Sequence, residues 1–396
     1  MGCSLPALLG AITLFVAACV VYPPVRVEES NVDWGRPLPR GAAPLIPLSP
    51  GEPAPDLRAT GGERDELLPA LERSIQWTRR KHAVQFFPAA GITHERALRS
   101  LETFHALLDE APDALTFQRR FEQRFEVLKS AGWDGAGGGV LFTGYCTPIL
   151  PGSLARSGPY QHALHALPPD LVKAPDGTTL GQETPGGMRP YPSRADILAN
   201  EEYDALARVW LSDPLDAYIA HVNGSAFVEL PSGELARFGY AGKNGRPYTS
   251  LGKALIASGE VPAEEMSLAA IRRWSGQNPA RVPEFLGRNE SYVFFTPIDG
   301  NPRGSLDFEV SARRSLATDK SLFPRAGLCF VDTELPTPYG DALPFRQLML
   351  DQDTGGAIRT AGRADIYLGV GPRAEQLSGA TRSPGQLYYF FLREGV

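Results

Sequence analysis

Phe345-Arg346-Gln347-Leu348-Met349-Leu350, then Gln352-Asp353-Thr354-Gly355-Gly356, then Arg363-Ala364-Asp365-Ile366-Tyr367-Leu368-Gly369 is the most informative stretch of this 396-residue chain. An apolar run breaks at a Gly-containing turn and a second apolar run follows, which is the spacing of successive β-strands. Alternate residues of a strand share a face, so Asp365 and Tyr367 point one way while Ile366 and Leu368 point the other. The apolar pair anchors the strand in a core and leaves the carboxyl on a rigid, partly dry floor. Such surroundings raise a carboxyl pKa, and the group then serves as an acid near neutrality. A third carboxylate, Asp319, ends the run Arg314-Ser315-Leu316-Ala317-Thr318-Asp319.

The same texture extends outward. Short apolar runs alternate with Gly, Pro, Asn and Asp turns at Val140–Tyr145, Ala226–Leu230, Glu234–Phe238, Ser291–Phe295, Gly327–Val331 and Leu387–Leu392. They predict β-barrels or sandwiches. Upstream, apolar residues at helical spacing predict helices over Glu66–Lys81, from Thr93 as N-cap, and over Phe117–Leu128. Pro69 fits the first of these only if it falls in the opening turn. Further helices are expected around Ile197–Leu211 and Met266–Trp274. Gly (41) and Pro (36) are abundant, which points away from a helical bundle, and 43% hydrophobic residues against 21% charged describe an ordered globular chain. A net charge of −6 without a concentrated basic tract argues against a nucleic-acid partner.

The N-terminus reads as an address. Leu5–Val21 is an apolar run too short for a membrane span and suited to a signal-peptide core. It ends Val16-Ala17-Ala18-Cys19, which resembles a bacterial lipobox: residues 1–18 form the signal, and Cys19 is acylated. Residues 19–60 then form a proline-rich tether, with nine prolines between positions 23 and 55. Lipid at Cys19 predicts a membrane anchor, and Val20 after it matches lipoproteins sorted to the outer membrane, facing the periplasm.

Other chemistries are poorly supported. Asp353-Thr354-Gly355 is the aspartic-protease tripeptide, but that mechanism needs two carboxyls sharing a proton and the chain has no second copy. Gly369-Val370-Gly371 follows a strand without a convincing long helix after it, so a dinucleotide site is not expected. His162 and His165 lack the companions of a zinc site, and His221 reads as a core residue. No cofactor or metal is implied. Cys146 and Cys329 are the candidates for a disulfide in an oxidising compartment.

Seven segments in order carry a resemblance. They are Phe142–Tyr145, Pro192–Ile197, Asp213-Pro214 with His221–Ser225, Tyr240–Tyr248, Asn289–Phe295, Arg314–Ala317 and Gln352–Ile358. Together they resemble the membrane-bound lytic murein transglycosylase A family across roughly residues 65–392. The resemblance implies an α+β fold, mainly β. A double-psi β-barrel domain (61–152 and 295–396, with helices) would surround a smaller inserted β domain (153–294), with a substrate groove between them. It implies cleavage of peptidoglycan glycan strands between N-acetylmuramic acid and N-acetylglucosamine without water, leaving 1,6-anhydromuramic acid. Asp365 matches the family's catalytic acid, and Asp353 and Asp319 match its supporting aspartates. Tyr145, Lys243, Asn244, Tyr248, Gly355 and Gly356 are the implied substrate contacts, and a cell-wall synthesis complex is a possible partner. Cys146 replaces a tyrosine usual in the family, and Ala226 a common glycine. A peptidoglycan-binding lipoprotein without catalysis is the alternative.

Overall fold

The computed structural model describes residues 32–58, 63–175, 177–337 and 341–395. The signal sequence, Cys19 and the start of the proline-rich segment lie outside them.

Six strands close into a barrel. In chain order they are β3 (Val140–Thr147), β13 (Ser315–Ala317), β14 (Leu328–Pro336), β15 (Ala342–Asp353), β16 (Arg363–Val370) and β17 (Arg382–Leu392). Around the ring the order is β17-β14-β15-β13-β16-β3, and β17 pairs back onto β3. The pairs β13–β15 and β16–β3 are parallel and the others antiparallel. This is the double-psi β-barrel, and closure removes the open edges that a sheet would otherwise expose. The expected alternation holds along β16: Ala364, Ile366 and Leu368 sit in the core cluster with Phe142, Cys329 and Met349.

Two strands extend this sheet beyond the ring. β2 (Phe125–Ser130) pairs with β17, and β1 (Leu45–Pro47) pairs with β2. The proline-rich stretch is therefore not a free tether over its second half. Leu45 and Leu57 are buried, and Trp34 packs edge-on against Trp133. Proline is tolerated in such an edge strand because one side of it needs no ladder donors.

Helices α1 (Arg64–Thr78), α2 (His94–Glu110) and α3 (Ala114–Arg124) cover the barrel. Thr93 caps α2 as expected, accepting from the Arg96 N–H. Phe104 and Phe121 are fully buried beside Leu71 and Phe390. Two expectations need correction. Pro69 lies in the second turn of α1, where its missing N–H leaves the Asp65 carbonyl without a helical partner. And the phenylalanine stripe does not stay helical to Leu128: α3 stops at Arg124 and Phe125 opens β2.

Residues 149–297 build the smaller β domain. A six-stranded sheet runs β12-β11-β10-β4-β9-β5, from β4 (Ile149–Ser153), β5 (His162–His165), β9 (Ala207–Leu211), β10 (Ala226–Glu229), β11 (Leu235–Lys243) and β12 (Val293–Pro297). Beside it β6 (Leu171–Lys173), β7 (Thr179–Thr184) and β8 (Gly187–Arg189) form a three-stranded sheet. The helix expected over Ile197–Leu211 is short: α4 (Arg194–Ala199) starts from a Ser193/Asp196 capping box, a 3-10 turn follows, and the rest is β9. α5 (Pro214–Asn223), α6 (Leu251–Ala257), α7 (Leu268–Gln277) and α8 (Val282–Gly287) complete this part. Arg272 of α7 joins it to the barrel, pairing with Asp216 at 2.8 Å and with Glu375 at 2.5 Å. Glu375 lies on α9 (Pro372–Ala380), a helix not anticipated after β16. Cys146 and Cys329 are both free and buried, so they do not pair.

Candidate active site

Register places the central residues. Across the parallel pair β3–β16, Asp365 lies opposite Thr143 and Tyr367 opposite Tyr145. On the other side of β16, Asp365 lies opposite Ala317 of β13. A side chain at Gly144, between Thr143 and Tyr145, would sit 2.6 Å from Leu368 Cδ1 and 2.8 Å from the Ser378 backbone of α9. Glycine there lets α9 press on one face of β3 while the opposite face forms the site.

Asp365 is held from one side. Its Oδ1 accepts the Thr143 hydroxyl and lies 3.7 Å from Arg363 Nη2, which also donates to Thr143 Oγ1 at 3.1 Å. Oδ2 has no hydrogen-bond partner among the described residues. The carboxyl is largely buried, with 19% of its side-chain surface exposed. Burial pushes its pKa above the usual carboxylate range, and Arg363 and Thr143 pull part of the way back.

Asp353, at the end of β15, is bound on both oxygens. Oδ1 accepts the N–H groups of Ser305 at 2.9 Å and Thr354 at 2.8 Å, and Oδ2 accepts the Tyr145 hydroxyl at 2.9 Å. Burial raises its pKa against these donors. Burial, then the neighbouring Asp353 carboxylate, push the Tyr145 phenol well above its ordinary value. Tyr145 therefore stays a donor and spans the ground between Asp353 and the Tyr367 ring, 5.1 Å away centroid to centroid.

Asp319 has a local task. Its Oδ1 accepts from Ser321 N–H at 3.0 Å and Ser321 Oγ at 2.7 Å, which caps the turn after β13. That turn is stitched to the Asp353 segment, because Thr318 N–H donates to the Asp353 carbonyl and Thr354 Oγ1 to the Thr318 carbonyl. Beneath it Lys320 and Asp351 form a buried ion pair, with Thr318 and Tyr389 also donating to Asp351.

The smaller β domain supplies the far wall. A Cβ on Gly356 would lie 3.5 Å from Tyr248 Cβ, and Tyr248 is near enough for the Asp365 charge to help raise its pKa, after burial. Lys243 precedes it on the same segment; burial and then the like charge of Arg359 lower its pKa. Gly355 and Gly356 have ordinary backbone angles, so they serve as a floor without side chains rather than as a left-handed turn.

Asn244 differs from the other expected contacts. Its amide donates to the Pro192 and Glu290 carbonyls at 2.9 and 2.8 Å and accepts from Tyr292 N–H at 2.9 Å. With 2% exposure it pins the Tyr240–Tyr248 segment from below rather than reaching into the site. Tyr367 was expected on the Asp365 face of its strand, but Thr143, Arg363 and Ser305 were not singled out from sequence. Their roles depend on register and on a loop approach that no local pattern encodes. His165 is committed at one nitrogen: Nδ1 lies 2.5 Å from the Tyr292 hydroxyl, Nε2 is buried without a partner among the described residues, and burial pushes the pKa down to about 4.

Comparison with known proteins bears on the family and the fold. Residues 141–296 match the MltA specific insert domain and residues 314–391 match the 3D domain. The membrane-bound lytic murein transglycosylase A of Escherichia coli K12 is 34% identical over 256 residues, 63% of this chain and 65% of the relative. The Vibrio cholerae protein of the same name is 31% identical over the same extent. The aligned region thus spans slightly under two thirds of these curated relatives. Among solved structures, a membrane-bound lytic murein transglycosylase from Agrobacterium tumefaciens superposes with a TM-score of 0.72 at 25% identity, covering 88% of this chain and 98% of that one. E. coli MltA with bound chitohexaose superposes at 0.65 and 25% identity, covering 91% and 96%.

Proposed function

Because the chain belongs to the membrane-bound lytic murein transglycosylase A family, we propose that it cleaves peptidoglycan glycan strands between N-acetylmuramic acid and N-acetylglucosamine, with Asp365 as the single acid–base group. The observation that carries this reading is the asymmetry of two carboxylates: Asp353 has donors on both oxygens, whereas Asp365 keeps Oδ2 free. A proton donor must present an oxygen to the bond that breaks, and the raised pKa of Asp365 favours the protonated form that the step needs.

The reaction balances on one group. Asp365 donates its proton to the glycosidic oxygen as the bond to muramic C1 breaks. The muramic C6 hydroxyl attacks C1, and its proton passes to the Asp365 carboxylate, restoring the acid. The products are a strand ending in 1,6-anhydromuramic acid and one ending in free N-acetylglucosamine O4-H. Ordinary glycosidases need a second carboxyl as nucleophile or to activate water. Here the nucleophile is tethered to the sugar, and its high effective molarity replaces that help. Asp353 and Tyr145 hold the floor beside the reacting bond, Asp319 fixes the turn next to it, and Tyr248 and Lys243 offer contacts from the opposite wall.

A lipid anchor at Cys19 would hold the enzyme on the outer membrane facing its substrate; among the described residues no helix is long and apolar enough to cross a membrane. Membership of a cell-wall synthesis complex is part of the same reading. The test is digestion of purified sacculi by the wild type and by Asp365→Asn. The wild type releases soluble fragments, and the variant binds sacculi but releases none. Binding without release by the wild type would instead describe a non-catalytic wall-binding lipoprotein.

A further inference from the structure

The loop of residues 302–310 and one face of α1 flank an open pocket of about 470 Å³ in which Arg73, Arg80 and Arg303 meet Glu72, Asp307 and Glu309, with Gln76 and Phe308 between them. Three guanidinium groups share it, and two are committed. Arg73 donates to Ser311 Oγ at 2.8 Å and Glu309 Oε2 at 3.3 Å. Arg303 donates to the Asp307 carbonyl at 3.2 Å and its carboxylate at 3.1 Å. Arg80 is different. Its guanidinium carbon lies 4.3 Å from the Phe308 ring centroid, and among the described residues it has no carboxylate partner. A guanidinium stacked on a ring keeps its N–H edge open, which is the geometry that receives a carboxylate.

The cavity is coupled to the cleavage site by its own walls. Ser305, in the middle of the loop, gives its N–H to Asp353 Oδ1. On the α1 side, Gln352 Nε2 donates to the Ala70 carbonyl at 2.7 Å and to Ser74 Oγ at 3.0 Å, directly before Asp353 in the chain. The loop turns at Asp307, whose φ of 57° lies in the left-handed region that aspartate enters more readily than most residues.

We infer that this cavity receives the peptide that peptidoglycan carries on its muramic acid residues, with Arg80 taking a peptide carboxylate. The inference rests on the peptidoglycan reading above. While the peptide is attached, the lactyl carboxyl of muramic acid is tied up as an amide and the sugar backbone offers no anion, whereas the peptide bears free carboxylates; Arg80, the one guanidinium lining the pocket without a partner among the described residues, matches them. Gln76 adds an amide able to meet a peptide bond.

The test compares kcat/KM on glycan strands that retain their peptides with kcat/KM on strands stripped of them by an amidase and then capped as methylamides at the lactyl carboxyls that the amidase exposes. In Arg80→Gln the ratio of the two falls about tenfold relative to wild type, the size expected for one charge-assisted hydrogen bond, and Arg80→Lys recovers part of it. A ratio unchanged in Arg80→Gln overturns the inference. If the wild type cleaves neither substrate, the enzymatic reading fails instead. Docking is then read from calorimetry with a soluble muropeptide and the matching disaccharide capped as a lactyl methylamide: an Arg80-dependent preference for the former supports it, and equal affinities refute it.

Discussion

Thr143 and Asp365 face each other across the parallel strands β3 and β16, and the Thr143 hydroxyl donates to Asp365 Oδ1. This bond fixes which oxygen is spent and which is free for substrate. Thr143→Val keeps the shape and removes the donor. We expect kcat to fall about tenfold with KM little changed, since an oriented proton donor acts in the chemical step. Steady-state kinetics on soluble glycan strands checks this, and an effect confined to KM would show that Thr143 only binds substrate.

Arg363 lowers the Asp365 pKa that burial raises. The acid form is the active one, so activity falls as pH rises through that pKa. Arg363→Gln removes the cation, raises the pKa further and moves the alkaline limb of the kcat/KM profile to higher pH. A limb displaced to lower pH would contradict the assignment.

Burying an ionisable carboxyl has a stability consequence of known sign. The folded-state pKa of Asp365 lies above its unfolded value, so the native state binds more protons and stability declines as pH rises through the folded pKa. Asp365→Asn removes that loss, and Asn still accepts the Thr143 hydroxyl. We expect the inactive variant to melt about 1–2 °C higher at neutral pH, with the difference shrinking in acid. Calorimetry at two pH values measures it.

Lys320 and Asp351 are 4% and 0% exposed in their side chains. Removing one partner strands the other charge in the interior, which costs about 3–5 kcal/mol. Asp351→Ala leaves the Lys320 ammonium with only the Thr318 hydroxyl, whereas Lys320→Met leaves Asp351 with the Thr318 and Tyr389 hydroxyls. Urea denaturation therefore ranks Asp351→Ala as the more destabilised of the two.

Much of the barrel was legible because its strands are short apolar runs set off by turn residues. The runs around Leu348, Ile366 and Phe390 each became a barrel strand. Helix boundaries were harder for identifiable reasons. The Phe117, Phe121, Phe125 stripe keeps its spacing across the junction of α3 and β2, so periodicity could not mark the break. α5 is buried at every position from Leu215 to His221 and therefore shows no amphipathic stripe. Within the site, the carboxylates and Tyr145 were visible as residues. Their division of labour was not, because it depends on which donors reach which oxygen. Asn244 illustrates this: its motif looked like a contact, and its four hydrogen-bonding positions hold backbone.

The central claim is that one carboxyl cycles a proton while the sugar supplies its own nucleophile. Digesting sacculi in water enriched in heavy oxygen and weighing the released muropeptides tests it most directly. The account predicts 1,6-anhydro ends with no heavy oxygen incorporated, and no such products from Asp365→Asn. Reducing ends carrying the label, or anhydro products from that variant, would contradict it.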